Sequence, residues 1–252
     1  MSRVALVTGG SRGIGRAISL RLAADGFAVA VNYRKDADAA AAVVAEIQDK
    51  GGTASAYQAS VSDRSDCVRL AEAVLADYGV VDCFVSNAGI ASRGQLVADT
   101  DLAELDRVMS THVTGAFHLA QLLLPGMRTA PRGDIVLVSS IAATSAMPGG
   151  APYMMAKVAL EALGRTLAVE ELPHGIHTNI VAPGLVATDM GDRLAAAVMG
   201  VSASADLDAK APYGHVCRPS EVSDVVSYLV SDQASYLNGQ RIEVHGGGSA
   251  FA

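Results

Sequence analysis

The stretch "APYMMAKVAL", residues 151–160, places Tyr153 four residues ahead of Lys157 at the start of a helical pattern. On an α-helix positions i and i+4 share one face, so a phenol and an ammonium can occupy one small volume. A free phenol titrates near pH 10, and a cation about 4 Å away contributes roughly 4 kcal/mol at an effective dielectric near 20. At about 1.4 kcal/mol per unit the phenol would fall by up to roughly three units, into the range where it exchanges protons near pH 7. Taken alone, the same two residues also read as an exposed polar pair on a solvated helix face.

A second stretch, "TGGSRGIG" (residues 8–15), follows an apolar run and opens a helix. Gly9, Gly13 and Gly15 allow a tight turn, and with Ser11, Arg12 and Ile14 between them they bring backbone amides and a helix N-terminus to where a pyrophosphate would sit. NAD sites place an acid about 20 residues further on, to hold the ribose hydroxyls. Here that place reads "VNYRKD", with Asn32, Arg34 and Lys35 and no carboxylate until Asp36. Together with Arg12 these residues form a local basic pocket suited to a 2′-phosphate, which favours NADPH/NADP+ as the cofactor. An ordinary solvated charge run is the other reading of Arg34 and Lys35.

The elements that must position these residues alternate. Strand-type runs lie at 4–8, 27–33, 53–59, 82–86, 134–140, 177–182 and 241–245, most of them nearly continuous apolar segments. Helix-length stretches lie between them, at 14–24, 37–50, 65–78, 102–124, 153–171 and 220–231. Strands apolar on both faces and separated by helices specify an α/β fold: a Rossmann-type, doubly wound parallel sheet of about seven strands in a single domain, 1–252. The segment 188–214 mixes small, polar and apolar residues, and is either a substrate lid or an irregular surface excursion.

Composition bounds the rest. A chain of 252 residues with 50% hydrophobic and 18% charged residues buries an ample core. The net charge of -7 argues against nucleic acid as a general partner. Cys67, Cys83 and Cys217 are odd in number and lack metal-ligand spacing, so they read as reduced thiols with no metal. No charged leader with an apolar core precedes the first strand and no run approaches the roughly 18 apolar residues of a membrane span, so the expectation is a cytoplasmic protein.

The glycine pattern, "SNAG" at 86–89, Ser140 at the end of the fifth strand, "YMMAK" at 153–157, "NIVAPGLVATDM" from Asn179 and the C-terminal "YLVSDQASYLNGQRIEVHGG" together resemble the short-chain dehydrogenase/reductase family over essentially the whole chain. Within it the pattern is most similar to the 3-oxoacyl-[acyl-carrier-protein] reductase type. The resemblance implies that Tyr153 is the general acid/base, that Lys157 lowers its pKa and holds the nicotinamide ribose, and that Ser140 hydrogen-bonds the reacting oxygen. It places Asn87, Ala88 and Gly89 beside the adenosine and its ribose, and Pro183, Gly184, Val186 and Thr188 at the nicotinamide end. The expected reaction is NADPH-dependent reduction of a ketone, a 3-oxoacyl thioester first. The alternatives are an alcohol or sugar dehydrogenase, another carbonyl reductase of specialised metabolism, or a catalytically weak NADP-binding partner or sensor.

Three positions depart from the family pattern. Ser60, before Val61, stands where Asp usually binds the adenine amine. Ser86 replaces the first Asn of "NNAG". His112 stands where an Asn maintains a helix distortion and a water-mediated proton relay, and is itself a candidate for proton transfer. The resemblance also implies a homotetramer, with "GGGSAFA" at the C-terminus against a neighbour. It names Arg128, Arg132 and His174 as candidates for docking an acyl carrier at the active-site mouth, with coenzyme A the other possible carrier. An ordinary solvated face is the other reading of these three residues.

Overall fold

A computed structural model describes residues 2–247. Seven strands form one wholly parallel sheet in the order β3-β2-β1-β4-β5-β6-β7. They are β1 (Val4–Val7), β2 (Ala28–Tyr33), β3 (Ala54–Gln58), β4 (Cys83–Ser86), β5 (Gly133–Val138), β6 (Ile176–Pro183) and β7 (Arg241–Val244). β1, β4 and β5 are buried along their whole length, because helices cover both faces and water reaches neither. The order reverses between β1 and β4, which opens a crevice at their carboxyl ends.

Alternation along each strand divides the core. On one face Val7, Val29, Val85 and Val136 meet Ile18 and Leu22 of α1 (Gly13–Ala24), Val43 and Ile47 of α2 (Ala37–Asp49), and a later helix carrying Val222 and Val226. On the other, Leu6, Phe84 and Ile135 meet Leu70 and Val74 of α3 (Arg64–Tyr78) and the long helices that follow β4 and β5. The seven strand runs foreseen from the apolar pattern are thus all present.

The stretch 102–124 is not one helix. It comprises α4 (Leu102–Met109), a π-helical segment Ser110–Thr114 and α5 (Gly115–Met127). A π-bulge widens the turn by one residue and reaims the side chains on it. The helix after β5 is α6 (Ala151–Glu170), and the one before β7 is α8 (Pro219–Leu229).

Nor is 188–214 irregular. It begins with α7 (Asp189–Met199), capped by the Thr188 hydroxyl accepting the Gly191 N–H at 3.1 Å and closed by Gly200 at φ 68°. Short 3-10 turns follow at 204–210 and 212–214. The final residues of "GGGSAFA", 248–252, lie outside the described residues.

The amino edge of the sheet is tied by ion pairs. Asp134, 1% exposed, meets Arg3 at 2.5 Å and Arg132 at 3.0 Å, with His177 at 3.7 Å. Arg3 also bridges to Asp82 at 2.9 Å. This bears on where the candidate carrier-docking residues lie within one chain. Arg132 precedes β5, and His174 precedes β6. Arg128 is bound by Glu171 at 2.6 Å between the ends of α5 and α6. All three therefore sit at the strands' amino ends, across the sheet from Ser140.

Candidate active site

α6 starts with Pro152 in its first turn, where the missing N–H costs nothing. Gly149 precedes it at φ +74°, and a Cβ there would stand 2.4 Å from the Gly94 carbonyl oxygen. The loops after β4 and β5 therefore touch, and they fix the entry of α6. Tyr153, half-buried, and Lys157, 4% exposed, follow on one face of this helix. Lys157 Nζ donates to the Val138 carbonyl at 2.7 Å, and lies 5.4 Å from the centre of the Tyr153 ring.

Ser140 continues from β5 with extended backbone, and its hydroxyl accepts the Ala142 N–H at 3.1 Å. The sequence thus brings a hydroxyl, a phenol and an ammonium together at the carboxyl end of β5. The expected electrostatics need correction, however. Burial pushes the Tyr153 phenol above its ordinary value, and the Ser140 hydroxyl pulls it partly back. Lys157 lies over the ring, and burial draws it down to about 7, with Glu161 opposing. A cation that is only part-charged at neutral pH cannot supply the full three-unit depression of the phenol.

His112 sits in the π-helical segment and is 2% exposed. Its Nε2 lies 3.0 Å from the Ile90 amide and 2.9 Å from the Ile90 carbonyl, so either neutral tautomer finds a partner. Burial, reinforced by the Lys157 charge, pushes its pKa down to about 3. A neutral ring at working pH does not serve as an acid. Nδ1 is buried with no partner among the described residues. The nearest residue that made room for this ring is Gly89, where a Cβ would come within 2.5 Å of His112 Cε1.

The glycine turn forms a cradle. Gly9 and Gly13 have φ of 61° and 51°, and a Cβ on Gly15 would lie 2.1 Å from the Gly9 oxygen. The N-cap of α1, Arg12, makes no side-chain cap, and no acid occupies the first turn. Unmet N–H groups and an unopposed helix dipole fit a pyrophosphate. Ser11 is buried in this turn and Ile14 half-buried behind it.

Around the cradle, two asparagines are tied to the protein. Asn32 accepts the Gly9 N–H at 3.3 Å and donates to Tyr57 and Ala59 carbonyls at 3.2 and 3.1 Å. Asn87 donates to the Thr8 carbonyl at 2.9 Å, while the Thr8 hydroxyl accepts the Asn87 and Ala88 amides at 3.0 and 3.1 Å. These bonds tie the turn to the ends of β2, β3 and β4.

Arg12, Arg34 and Lys35 are exposed and have no carboxylate partner among the described residues. Asp36 caps α2 by accepting the Ala39 N–H at 3.0 Å. Ser60 donates its amide to Asp66 at 2.8 Å and shares a 2.9 Å hydroxyl contact with Ser62. Val61 is buried beside Gly115. Pro183 ends β6, Gly184 N–H reaches Val244 at 3.0 Å, and Val186 pairs with Cys217. Thr188 approaches Gly13, whose Cβ would meet its Cγ2 at 3.2 Å. The two ends of the crevice therefore close on each other.

At the start of α6, Leu96, Val97, Met147, Pro148, Met154 and Met155 line an apolar groove of about 380 Å³ with no charged side chain, and Tyr153 is not part of its wall. Two residues escaped the sequence reading: Glu161 and Arg241, joined at 2.7 Å behind Ser140. Glu161 was accessible as the next i+4 position after Lys157. Arg241 lies 80 residues away and carried no local signal.

The family described as enoyl-(acyl carrier protein) reductase matches residues 9–249. The 3-oxoacyl-[acyl-carrier-protein] reductase FabG of Staphylococcus aureus is 36% identical over 247 residues, covering 98% of each chain. Among solved structures, a short-chain dehydrogenase from Burkholderia cenocepacia in complex with NADP superposes with a TM-score of 0.87 at 34% identity, covering 98% of this chain and 97% of that one. A 7α-hydroxysteroid dehydrogenase with NADH and 7-oxo glycochenodeoxycholic acid gives 0.88 at 31% identity, covering 98% and 94%.

Proposed function

The chain belongs to the short-chain dehydrogenase/reductase family and is an oxidoreductase that uses a nicotinamide cofactor, and on that premise we propose that it reduces a ketone to a secondary alcohol with NADPH. The observation that carries this reading is the meeting of Ser140, Tyr153 and Lys157 at the end of β5, beside the glycine cradle. The preference for the phosphorylated cofactor rests on Arg12, Arg34 and Lys35, exposed and unpaired among the described residues, and on Asp36 being engaged as a helix cap.

When bound, NADPH supplies the hydride. The chain supplies the rest. The Ser140 hydroxyl donates a hydrogen bond to the carbonyl oxygen and stabilises the charge that develops there. Tyr153 gives the proton from its phenol oxygen. Burial keeps the phenol protonated at neutral pH, so it has the proton to give. Lys157 holds the ribose and favours the phenolate left behind.

A 3-oxoacyl thioester is the first substrate, by analogy with the Staphylococcus aureus relative. A second reading, a free hydrophobic ketone, draws support from the uncharged groove at the start of α6. A homotetramer is proposed as the assembly, consistent with the exposed Phe117 and Val158 on α5 and α6. The test is NADPH consumption with an acetoacetyl thioester and a panel of ketones and diketones. Turnover should fall by about 10²-fold or more in Tyr153→Phe, with NADPH binding retained. Unchanged turnover in that variant would sink the assignment.

A further inference from the structure

The strand end that bears Ser140 is braced from behind by two residues outside the Ser-Tyr-Lys set. Glu161, 4% exposed, accepts the Ser139 hydroxyl at 2.8 Å and Arg241 Nε at 2.7 Å. Arg241 rises from β7, donates through Nη2 to the Ser140 carbonyl at 3.2 Å, and pairs through Nη1 with Glu243. One carboxylate and one guanidinium thus grip both the Ser139 side chain and the Ser140 backbone.

Glu161 also lies one helical turn beyond Lys157 on α6, outside ion-pair distance of it. Tyr153, Lys157, Glu161 and Arg165 follow one another at i+4 spacing along α6, so phenol, ammonium, carboxylate and guanidinium share one face. Arg165 approaches Glu161 only at 3.5 Å and stays half in solvent. A buried carboxylate persists when paired, and a buried ammonium needs a negative charge near it.

We propose that Glu161 and Arg241 are a positioning pair for the reaction: Glu161 supplies the buried negative charge that holds Lys157 as an ammonium, while Arg241 moderates that charge and pins the Ser140 backbone. The inference rests on the assignment of Lys157 and Ser140 to the chemistry. The groups that face Lys157 are Tyr153 and Glu161 on its own helix and His112 from the π-helical segment. Those that face Glu161 are Arg165 on α6, Ser139 at the end of β5 and Arg241 from β7. Burial draws Lys157 down to about 7, and Glu161 is the group that opposes it. His112 is neutral over this range, so Glu161 sets the balance.

The test is the titration of the Lys157 ammonium by NMR in protein labelled with ¹⁵N-lysine, the signal assigned with Lys157→Arg. In Glu161→Gln the titration should move to lower pH by about one unit, because an opposite charge has been removed. In Arg241→Met it should move to higher pH, because Glu161 then acts on Lys157 undiluted. A bracing role alone would lower stability in both variants without moving the titration in opposite senses. No movement, or movement in one common direction, overturns the proposal. Should Glu161→Gln fail to fold, Arg241→Met decides: an upward move supports the pair, and a fixed or downward one overturns it. Arg241→Lys, which keeps the charge and loses the reach to Ser140, should leave the titration in place and lower kcat severalfold. Turnover that survived Tyr153→Phe would sink the reductase reading, yet leave this titration informative.

Discussion

The His112 ring stands edge-on to the Tyr153 ring, with centroids 5.4 Å apart and planes at 88°. The contact couples the π-helical segment to the phenol through packing, since the imidazole spends Nε2 on Ile90 and is neutral at working pH. His112 therefore packs against the phenol and is not an imidazolium near neutrality.

His112→Asn should leave turnover the same or raise it. With the histidine titrating only near about 3, the pH profile between 6 and 8 should keep its shape in the variant. Steady-state kinetics across that range check this. A collapse of turnover in a folded variant would show that the imidazole has taken a chemical role.

Gly89→Ala should destabilise the protein by roughly 1–3 kcal/mol, because the new methyl would lie 2.5 Å from His112 Cε1 in a packed site. The cost belongs to the pair and not to the turn. Combined with His112→Asn, the substitution should cost much less, and a urea-denaturation double-mutant cycle measures the difference. Strict additivity would mean that the backbone alone requires glycine there.

Arg34→Ala should weaken NADPH binding about tenfold or more while leaving NADH nearly unchanged, as expected for a lost charged hydrogen bond to a 2′-phosphate. Fluorescence titration with both cofactors reads the ratio. Equal losses would remove the basis for choosing NADPH.

Lys157→Met should abolish turnover and stabilise the fold. The folded value of about 7 lies below the unfolded 10.5, so between these pH values only the unfolded chain holds the proton, and stability rises with pH. Below about 7 the native state bears the whole cost of the buried ammonium. The variant's advantage, a few kcal/mol in order of magnitude, should be full at pH 6 and fade above 7. Urea midpoints at several pH values test it, and an advantage independent of pH would place the lysine's titration elsewhere.

Much of this molecule was legible because its signals are local. Apolar runs such as "VALVT" and "DIVLVSS" announce strands covered on both faces, and Gly9-x3-Gly13-x-Gly15 announces its turn. Thr188 and Gly200 were also proper helix-end signals, yet the small residues between them hid α7. The break at Ser110–Thr114 changes hydrogen-bond register without changing composition, so 102–124 read as one helix. That Arg128, Arg132 and His174 lie across the sheet from their own chain's Ser140 follows from which strand end each residue precedes, which charge alone does not tell. The Glu161–Arg241 pair needs the folded sheet, since β7 meets α6 only there. The phenol's electrostatics depend on how deeply Lys157 is buried, which no spacing reveals.

The ion cluster around Asp134 fastens the ends of β1, β4 and β5 at the edge remote from Ser140. Fastening and chemistry are thus kept at opposite poles of one sheet. Loops that follow β4, β5 and β6 are free to diverge without loosening the clasp, much as tools are exchanged in a fixed handle. A breeder of new specificities would leave Arg3, Asp82, Asp134 and Arg132 alone and recombine the loops at the far pole.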